Sequence, residues 1–321
     1  MKHLLSIADL ERPDIEHLMK RAESFAEGVG RRDIKKVPAL RGKTVVNLFL
    51  EPSTRTSSSF ELAAKRLSAD VISVKSSGSS VEKGESLKDT IATLSAYSPD
   101  AIVIRSPEAG AANLVAAWTE AAVVNAGDGK HEHPSQSLLD VYALRRRVGA
   151  IDGKRIWIVG DVLHSRVARS CAMAFQKMGA VVTLCGPPTL IPREIGAALG
   201  CSVRHDLDDL GEADVVYALR MQRERMAESY VPSIREYAAC YQIDSRRLGP
   251  RQLLMHPGPV NRGVELSPAA IDGPSSIIAE QVEAGLYVRM AILFEVLSGP
   301  RSEAARTEPE LSAPTPIGEP A

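Results

Sequence analysis

The sequence predicts an α/β fold with two domains, each a mainly parallel β-sheet flanked by helices. The chain has 321 residues, enough for about two domains, and short apolar runs alternate with helical stripes along most of it. A change in composition over residues 149–153 separates two such series. We therefore expect a first domain over residues 1–149, a second over residues 150–299, and a disordered tail over residues 300–321.

The composition excludes several classes of protein. There are 39 basic and 40 acidic side chains, so the balanced charge does not indicate binding to nucleic acid. The longest run without charged residues, 178–192, is shorter than the ~20 apolar residues of a membrane span. Asp9 and Glu11 interrupt the N-terminus before a signal peptide could form, and the four cysteines have no CxxC spacing. We expect a cytoplasmic protein with buried free thiols and no zinc or redox motif.

The first series begins with an amphipathic helix after Pro13. An apolar run at residues 44–50 predicts a strand, and a polar loop then leads to a helix whose apolar stripe covers residues 60–67. The later elements of this half are strands at residues 71–74, 101–104 and 123–124 and a helix over about 135–147.

The second series begins with a strand at residues 155–160, followed by a helix that carries Val167 and Cys171 on its apolar face. The later strands are predicted at residues 181–184, 214–219 and 252–255. The last helix has a predicted apolar stripe of Val282, Leu286, Met290, Leu293 and Leu297.

A hydroxyl-rich segment at residues 51–61 lies between a predicted strand and the helix that follows it. The N-terminus of a helix presents unpaired backbone N–H groups and a partial positive charge, and Arg55 adds a fork of donors. The hydroxyl groups could instead cap the helix, with Ser58 and Glu61 as a capping box. Because capping does not account for Arg55 or for the number of hydroxyls, the segment predicts a phosphate site.

A serine-rich segment with two glycines covers residues 73–86. Such a run is typical of a flexible loop, and this is the interpretation that the segment alone favours. A loop that contains Lys83 before Gly84 and Glu85 could also close a lysine over an anionic substrate.

Two histidines flank a glutamate at residues 131–133. A metal site is the minor interpretation, since no third ligand is apparent. Pro134 fits the first turn of a helix, which places His133 and Gln136 near its N-terminus, where a neutral imidazole could donate a hydrogen bond to a reacting carbonyl. A helix cap with solvated histidines is an equally good interpretation.

Two arginines follow predicted strands of the second half. Residues 159–166 share only their first glycine with a dinucleotide-binding turn, so nicotinamide binding is disfavoured. Arg166 in this segment and Arg220 after a later strand lie where open α/β sheets bind ligands. A pair of arginines in such places predicts a site for a dicarboxylate.

A turn rich in proline and glycine covers residues 256–265. Its backbone carbonyls could face a ligand amine. The segment by itself indicates only a structural turn.

Together these segments resemble the carbamoyltransferase family over roughly residues 1–300. Ser53-Thr54-Arg55-Thr56 matches the carbamoyl-phosphate signature of the family, and His133-Pro134-Ser135-Gln136 matches its second signature. His256-Pro257-Gly258-Pro259 stands where ornithine-specific members typically have His-Cys-Leu-Pro, and Ser165-Arg166 stands where they typically have an asparagine pair. The resemblance is therefore to the aspartate-specific branch. Gly258 is a departure, since some branches of the family have leucine at this position.

This resemblance implies transfer of the carbamoyl group from carbamoyl phosphate to the amine of L-aspartate in pyrimidine biosynthesis. The alternatives are a carbamoyltransferase for another amine, such as ornithine, and an inactive homologue that acts as a scaffold. The implied carbamoyl-phosphate contacts are Ser53, Thr54, Arg55, Thr56, Ser79, Arg105, His133, Gln136, Gly258 and Pro259. The implied aspartate contacts are Lys83, Arg166, Arg220 and Gln222.

The resemblance also implies a role for each catalytic group. Thr56, Arg105 and His133 polarise the carbamoyl carbonyl and stabilise the oxyanion. Gln136 and the backbone carbonyls of Gly258 and Pro259 orient the amine. Phosphate is the leaving group and accepts the proton. The implied catalytic set is Arg55, Thr56, Lys83, Arg105, His133 and Gln136, with no metal and no cofactor.

A homotrimer with shared active sites is the implied assembly. In the family, the loop that bears Ser79 and Lys83 reaches into the site of the neighbouring subunit. Whether such a trimer joins regulatory chains or dihydroorotase is left open by the sequence.

Overall fold

The computed structural model describes residues 1–30, 35–75, 84–222 and 230–298. The predicted tail at 300–321 lies outside the described residues, as do Ser79 and Lys83 of the serine-rich loop. Among the described residues, no helix combines the length and apolar character needed to cross a bilayer.

The first half of the chain forms a parallel sheet in which β1 is paired with β2 and β3, and β3 with β4. Helices connect the strands, as parallel pairing requires. The elements are α1 (Arg12–Gly30), β1 (Thr44–Phe49), α2 (Thr54–Arg66), β2 (Asp70–Lys75), α3 (Leu87–Ser95), β3 (Ala101–Ser106), α4 (Ala111–Trp118), β4 (Ala122–Asp128) and α5 (Pro134–Val148).

The second half forms another parallel sheet, with strand order β7-β6-β5-β8-β9. Its elements are β5 (Arg155–Val159), α6 (Arg166–Lys177), β6 (Val181–Cys185), α7 (Ile195–Leu199), β7 (Ser202–Arg204), β8 (Val215–Ala218), α8 (Ile234–Tyr241), β9 (Leu253–Met255), α9 (Pro268–Ile271) and α10 (Ile278–Leu297). The predicted fold class, two parallel α/β sheets flanked by helices, is confirmed. The sequence did not reveal β7, because its three residues include a serine and an arginine and form no apolar run.

Each sheet has a point where the order of its strands reverses. In the first sheet this point lies between β1 and β3, and in the second it lies between β5 and β8. Ligands of open α/β sheets bind outside the carboxyl ends of the strands at such points. The segments that follow these four strands begin at Leu50, Pro107, Gly160 and Leu219, close to most of the predicted site residues.

The last helix, α10, packs against α1, α2 and α5 of the first half. Its side chains are therefore buried around most of the helix, including Ala284, Val288 and Ala291. The predicted single stripe is wrong at Val282, which is 60% exposed. The chain thus returns to its first half after completing the second sheet.

The four thiols are not all buried. Cys171 and Cys185 are buried and Cys201 is half-buried, but Cys240 is exposed on α8. The expectation of four buried thiols is therefore wrong at Cys240, because α8 buries Tyr237 on its inner face and leaves Cys240 outside.

Candidate active site

The N-terminus of α2 is open to an anion. The helix begins at Thr54, and Ser53 occupies the N-cap position without a side-chain capping bond. Ser58 lies inside the helix, and Glu61 accepts a 2.6 Å hydrogen bond from Lys65 one turn later. The capping-box alternative is therefore wrong. The first-turn N–H groups and the hydroxyls beside them form the kind of N-terminus that binds phosphate.

The two predicted signatures meet between α2 and α5. The Thr56 hydroxyl lies 3.5 Å from Nε2 of His133, and both residues are buried. His133 is the N-cap residue of α5, and its backbone N–H donates a 2.7 Å hydrogen bond to the hydroxyl of Ser170 on α6. The predicted placement of His133 beside the first turn of α5 is confirmed. The alternative of solvated histidines is wrong for His133, which is buried, but holds for His131, which is exposed.

The metal alternative gains no support from the described residues. The imidazole of His131 lies 3.0 Å from a carboxylate oxygen of Asp128, whereas that of His133 faces Thr56. Within the described ranges there is no group of three or more His, Cys, Asp or Glu side chains that could hold a metal ion.

His133 is held in its neutral form. Burial lowers the pKa of His133 well below its usual 6.5, and the charges of Arg105 and Arg289 lower it further. A neutral imidazole can donate a hydrogen bond to a carbonyl at pH 7 without carrying a charge of its own.

Acid is expected to destabilise the protein through His133. Below pH 6.5 the unfolded chain binds a proton on this histidine that the folded chain does not, so the free energy of unfolding falls as the pH decreases. The contribution is up to ~1.4 kcal/mol per pH unit. Denaturant unfolding at pH 7.5 and 5.5 checks this: His133→Gln should lose less stability on acidification than the wild type. Equal losses in the two proteins would contradict the buried neutral state.

A single carboxylate joins arginines of the two halves. Oε2 of Glu51, after β1, lies 3.3 Å from Nε of Arg105 and 2.6 Å from Nη2 of Arg166. Arg166 is buried in the first turn of α6, and its Nη1 has no hydrogen-bond partner among the described residues. The sequence predicts no role for Glu51, since nothing in residues 51–61 shows that this acid faces Arg166, 115 positions away.

Arg55 lies against the proline-glycine turn, and the charge of Arg220 acts on Arg55 and on His256 of that turn. Gly258 has a φ of +66°, and a Cβ at this position would lie 3.0 Å from Cζ of Arg55. Burial lowers the pKa of Arg55, and the charge of Arg220 adds to this effect. Both arginines also help to lower the pKa of buried His256, after the larger effect of burial. Gln222 donates a 3.1 Å hydrogen bond to the carbonyl of His164, which holds its amide against the segment that follows β5.

A further arginine, Arg289, contacts α2 at its second turn. It comes from α10, is buried, and donates to the hydroxyl of Ser59 and to the carbonyl of Gly285. Burial lowers the pKa of Arg289 to about 10, and the charges of Arg105 and Arg55 act in the same direction. We define the cationic cluster by its members, which are Arg55, Arg105, Arg166, Arg220 and Arg289. These five guanidinium groups outnumber the one carboxylate, that of Glu51, which pairs with two of them, so the partly buried cluster favours the binding of an anion.

Comparison with known proteins gives the family. The carbamoyl-phosphate-binding domain of aspartate/ornithine carbamoyltransferases matches residues 2–146, and their aspartate/ornithine-binding domain matches residues 152–296. The chain belongs to this family. The aspartate carbamoyltransferase catalytic subunit of Salinispora arenicola is 54% identical over 305 residues, which cover 93% of this chain and 99% of that one.

Solved structures of aspartate transcarbamoylases share the fold of this carbamoyltransferase. The Trypanosoma cruzi enzyme in complex with carbamoyl phosphate and aspartate is 32% identical, with a TM-score of 0.83, and covers 92% of this chain and 97% of that one. The catalytic subunit from M. jannaschii is 35% identical, with a TM-score of 0.82, and covers 94% of this chain and 99% of that one.

The carbamoyltransferase fold places most of the predicted site residues at the ends of four strands. Ser53, Thr54, Arg55 and Thr56 follow β1, and Arg105 is near the end of β3. Arg166 begins the helix after β5, and Arg220 and Gln222 follow β8. His133 and Gln136 approach from α5, and Gly258 and Pro259 follow β9. Ser79 and Lys83 are the two predicted site residues outside the described ranges.

Gly127 leaves room for two arginines of the site. It has a φ of +117°, and a Cβ here would lie 2.9 Å from Nη1 of Arg166 and 3.4 Å from Nη1 of Arg105. Gly127→Ala should therefore displace Arg166 and raise the KM for the dicarboxylate substrate about tenfold or more. Steady-state kinetics measures this change.

Gly149→Ala is the matched control for this prediction. Gly149 also has a positive φ, +77°, but a Cβ there meets no atom within 4 Å. This variant should lose stability by about 1 kcal/mol through its backbone alone and keep its KM. Equal KM values for both variants would show that Gly127 does not hold the arginines in place.

Proposed function

We propose that this carbamoyltransferase moves the carbamoyl group of carbamoyl phosphate to the amine of L-aspartate, giving N-carbamoyl-L-aspartate and phosphate. The observation that carries the proposal is the cationic cluster at the N-terminus of α2. Its five guanidinium groups come from both halves of the chain, and Glu51 bridges two of them. Carbamoyl phosphate and the two carboxylates of aspartate supply the anions that such a cluster binds.

The first half, residues 1–149, is proposed to bind carbamoyl phosphate. The phosphate lies against Ser53, Thr54, Arg55 and Thr56, where first-turn N–H groups and hydroxyls converge. The carbamoyl oxygen faces Thr56, Arg105 and neutral His133, which stabilise it when it becomes an oxyanion. The 3.5 Å approach of Thr56 to His133 supports this assignment, because two donors must meet at one oxygen.

The second half, residues 150–299, is proposed to bind aspartate. Arg166 and Arg220 hold its two carboxylates, with Gln222 beside them. The amine attacks the carbamoyl carbon, forming a C–N bond, and the C–O bond to phosphate then breaks. The departing phosphate accepts the proton of the amine, so the residues of this chain supply position and electrostatic stabilisation.

The assembly proposed for this chain is a homotrimer in the cytoplasm, where the product enters pyrimidine biosynthesis. Lys83 and Ser79 of one subunit would complete the site of the next. The relatives named as catalytic subunits support an assembled enzyme.

A product assay with several amines tests the function. Purified protein is incubated with carbamoyl phosphate and either L-aspartate, L-ornithine or buffer, and carbamoylated product and phosphate are both measured. We expect turnover with aspartate alone, since the cationic ornithine side chain would be repelled by Arg166 and Arg220. Turnover with ornithine instead would favour the other branch of the family, and no turnover would favour an inactive scaffold.

A further inference from the structure

A buried carboxylate outside the cationic cluster connects four elements of the structure. Asp140 lies on α5, one turn after Gln136, and its exposed fraction is 0%. A buried carboxylate is costly unless every oxygen accepts hydrogen bonds. Asp140 meets this condition, since four side chains donate to its two oxygens.

The two oxygens of Asp140 have different partners. Oδ1 accepts from the amide nitrogens of Gln136, at 3.0 Å, and Gln281, at 2.7 Å. Oδ2 accepts from the hydroxyl of Tyr217, at 2.6 Å, and the thiol of Cys171, at 3.3 Å. The first oxygen thus contacts Gln136 of the predicted site and Gln281 of α10, and the second contacts side chains of β8 and α6 in the second half.

Gln281 extends the connection to the proline-glycine turn. Its side-chain carbonyl accepts a 2.9 Å hydrogen bond from the backbone N–H of His256. Nδ1 of His256 in turn accepts a 2.8 Å hydrogen bond from the N–H of Gly258. A continuous chain of hydrogen bonds therefore runs from Gln136 through Asp140 and Gln281 to the turn that contains Gly258.

An ionised carboxylate sets the direction of both amides. Burial raises the pKa of Asp140 to about 6, an increase that its four donors limit, so the group is a carboxylate at pH 8. A carboxylate only accepts hydrogen bonds, so each glutamine must turn its NH₂ group toward Asp140. The carbonyl oxygen of Gln136 is then the end that can accept a hydrogen bond from a substrate nitrogen.

We propose that Asp140 is a positioning residue that orients the Gln136 carbonyl and the 256–259 turn as one unit toward the nitrogen atoms of the reacting substrates. This role rests on the proposed carbamoyl transfer, in which Gln136 and the carbonyls of Gly258 and Pro259 orient the amine. Asp140 does not touch substrate. It keeps the acceptors from the two halves of the chain aligned with each other.

Asp140→Asn tests the proposal, because it keeps the shape of the side chain but replaces one acceptor oxygen by a donor. At pH 8 we expect kcat/KM for L-aspartate to fall about 10- to 100-fold. The Kd for inorganic phosphate, which needs only the N-terminus of α2 and its arginines, should change less than about twofold.

Tyr217→Phe is the matched control. It removes a donor from the other oxygen of the same buried carboxylate and leaves both glutamines in place. Its kcat/KM should fall less than about threefold. Equal losses in Tyr217→Phe and Asp140→Asn would overturn the proposal, as would a loss of phosphate affinity that matches the loss of kcat/KM.

Crystal structures of the unliganded variants give a result that does not depend on activity. In Asp140→Asn the amide of Gln136 or the 256–259 turn should be displaced, and in Gln281→Met the turn alone should move. Wild-type positions in both variants would overturn the proposal even if the enzyme used another amine. A wild-type protein without turnover, combined with displaced groups in the variants, would instead contradict the proposed function and leave the positioning role supported.

Discussion

Arg55→Ala is expected to weaken the binding of carbamoyl phosphate at least ~100-fold, or by about 3 kcal/mol. The guanidinium lies in the first turn of α2 and close to Gly258. Burial and the charge of Arg220 already lower its pKa, so a bound phosphate relieves repulsion as well as accepting hydrogen bonds. Isothermal titration with carbamoyl phosphate or inorganic phosphate measures the loss.

Two further variants control this result. Lys65→Ala removes a cation from the exposed far end of the same helix, and it should bind phosphate like the wild type. Arg55→Lys keeps the charge without the planar fork, so it should bind between the wild type and Arg55→Ala. Wild-type affinity in Arg55→Ala would refute the assigned role, and equal losses in Lys65→Ala would indicate a general effect of charge.

The sequence predicts those parts of the fold that depend on neighbouring residues. The strands β1, β3 and β5 are apolar runs, and α5 begins at Pro134 because proline fits a first helical turn. The N-terminus of α2 could be predicted as an anion site because its hydroxyls and Arg55 are adjacent in the sequence.

The remaining parts depend on residues that are far apart in the chain. Glu51 meets Arg166 across 115 positions, and Arg289 meets Ser59 across 230. Nothing in the sequence near Arg289 distinguishes it from a surface residue of an amphipathic helix. Its burial becomes evident only when α10 packs on α2 and α5.

Asp140 is a further residue whose contacts the sequence predicts only in part. Its spacing from Gln136 predicts that the two side chains can meet. The contacts with Tyr217 and Gln281 come from β8 and α10, so the sequence does not predict that four donors surround one carboxylate. A polar residue on the buried face of α5 was the one available sign, and it does not identify the partners.

Lys83→Ala and His133→Ala proteins are each expected to be nearly inactive, and to regain activity when their dissociated chains are mixed and reassembled. In the proposed homotrimer, each site takes His133 from one subunit and Lys83 from its neighbour. A site formed by the Lys83→Ala chain and the Lys83 of a His133→Ala neighbour has neither lesion. Random assembly of equal amounts gives such sites at about one quarter of the total, so roughly that share of wild-type activity should return.

The control pairs two lesions from the same side of the interface. His133 and the arginine Arg105 both belong to one subunit's own site, since the charge of Arg105 lowers the pKa of His133 within the chain. Mixing Arg105→Ala with His133→Ala proteins should therefore restore nothing, because every site in a mixed trimer keeps one lesion. Mass spectrometry verifies that mixed trimers form. If mixed trimers of Lys83→Ala and His133→Ala chains regain no activity, the proposal of shared sites is contradicted. A gain of activity in both mixtures would mean that whole segments exchange between subunits. Recovery of activity only when Lys83→Ala is mixed with His133→Ala is therefore the result that assigns Lys83 to the neighbouring site.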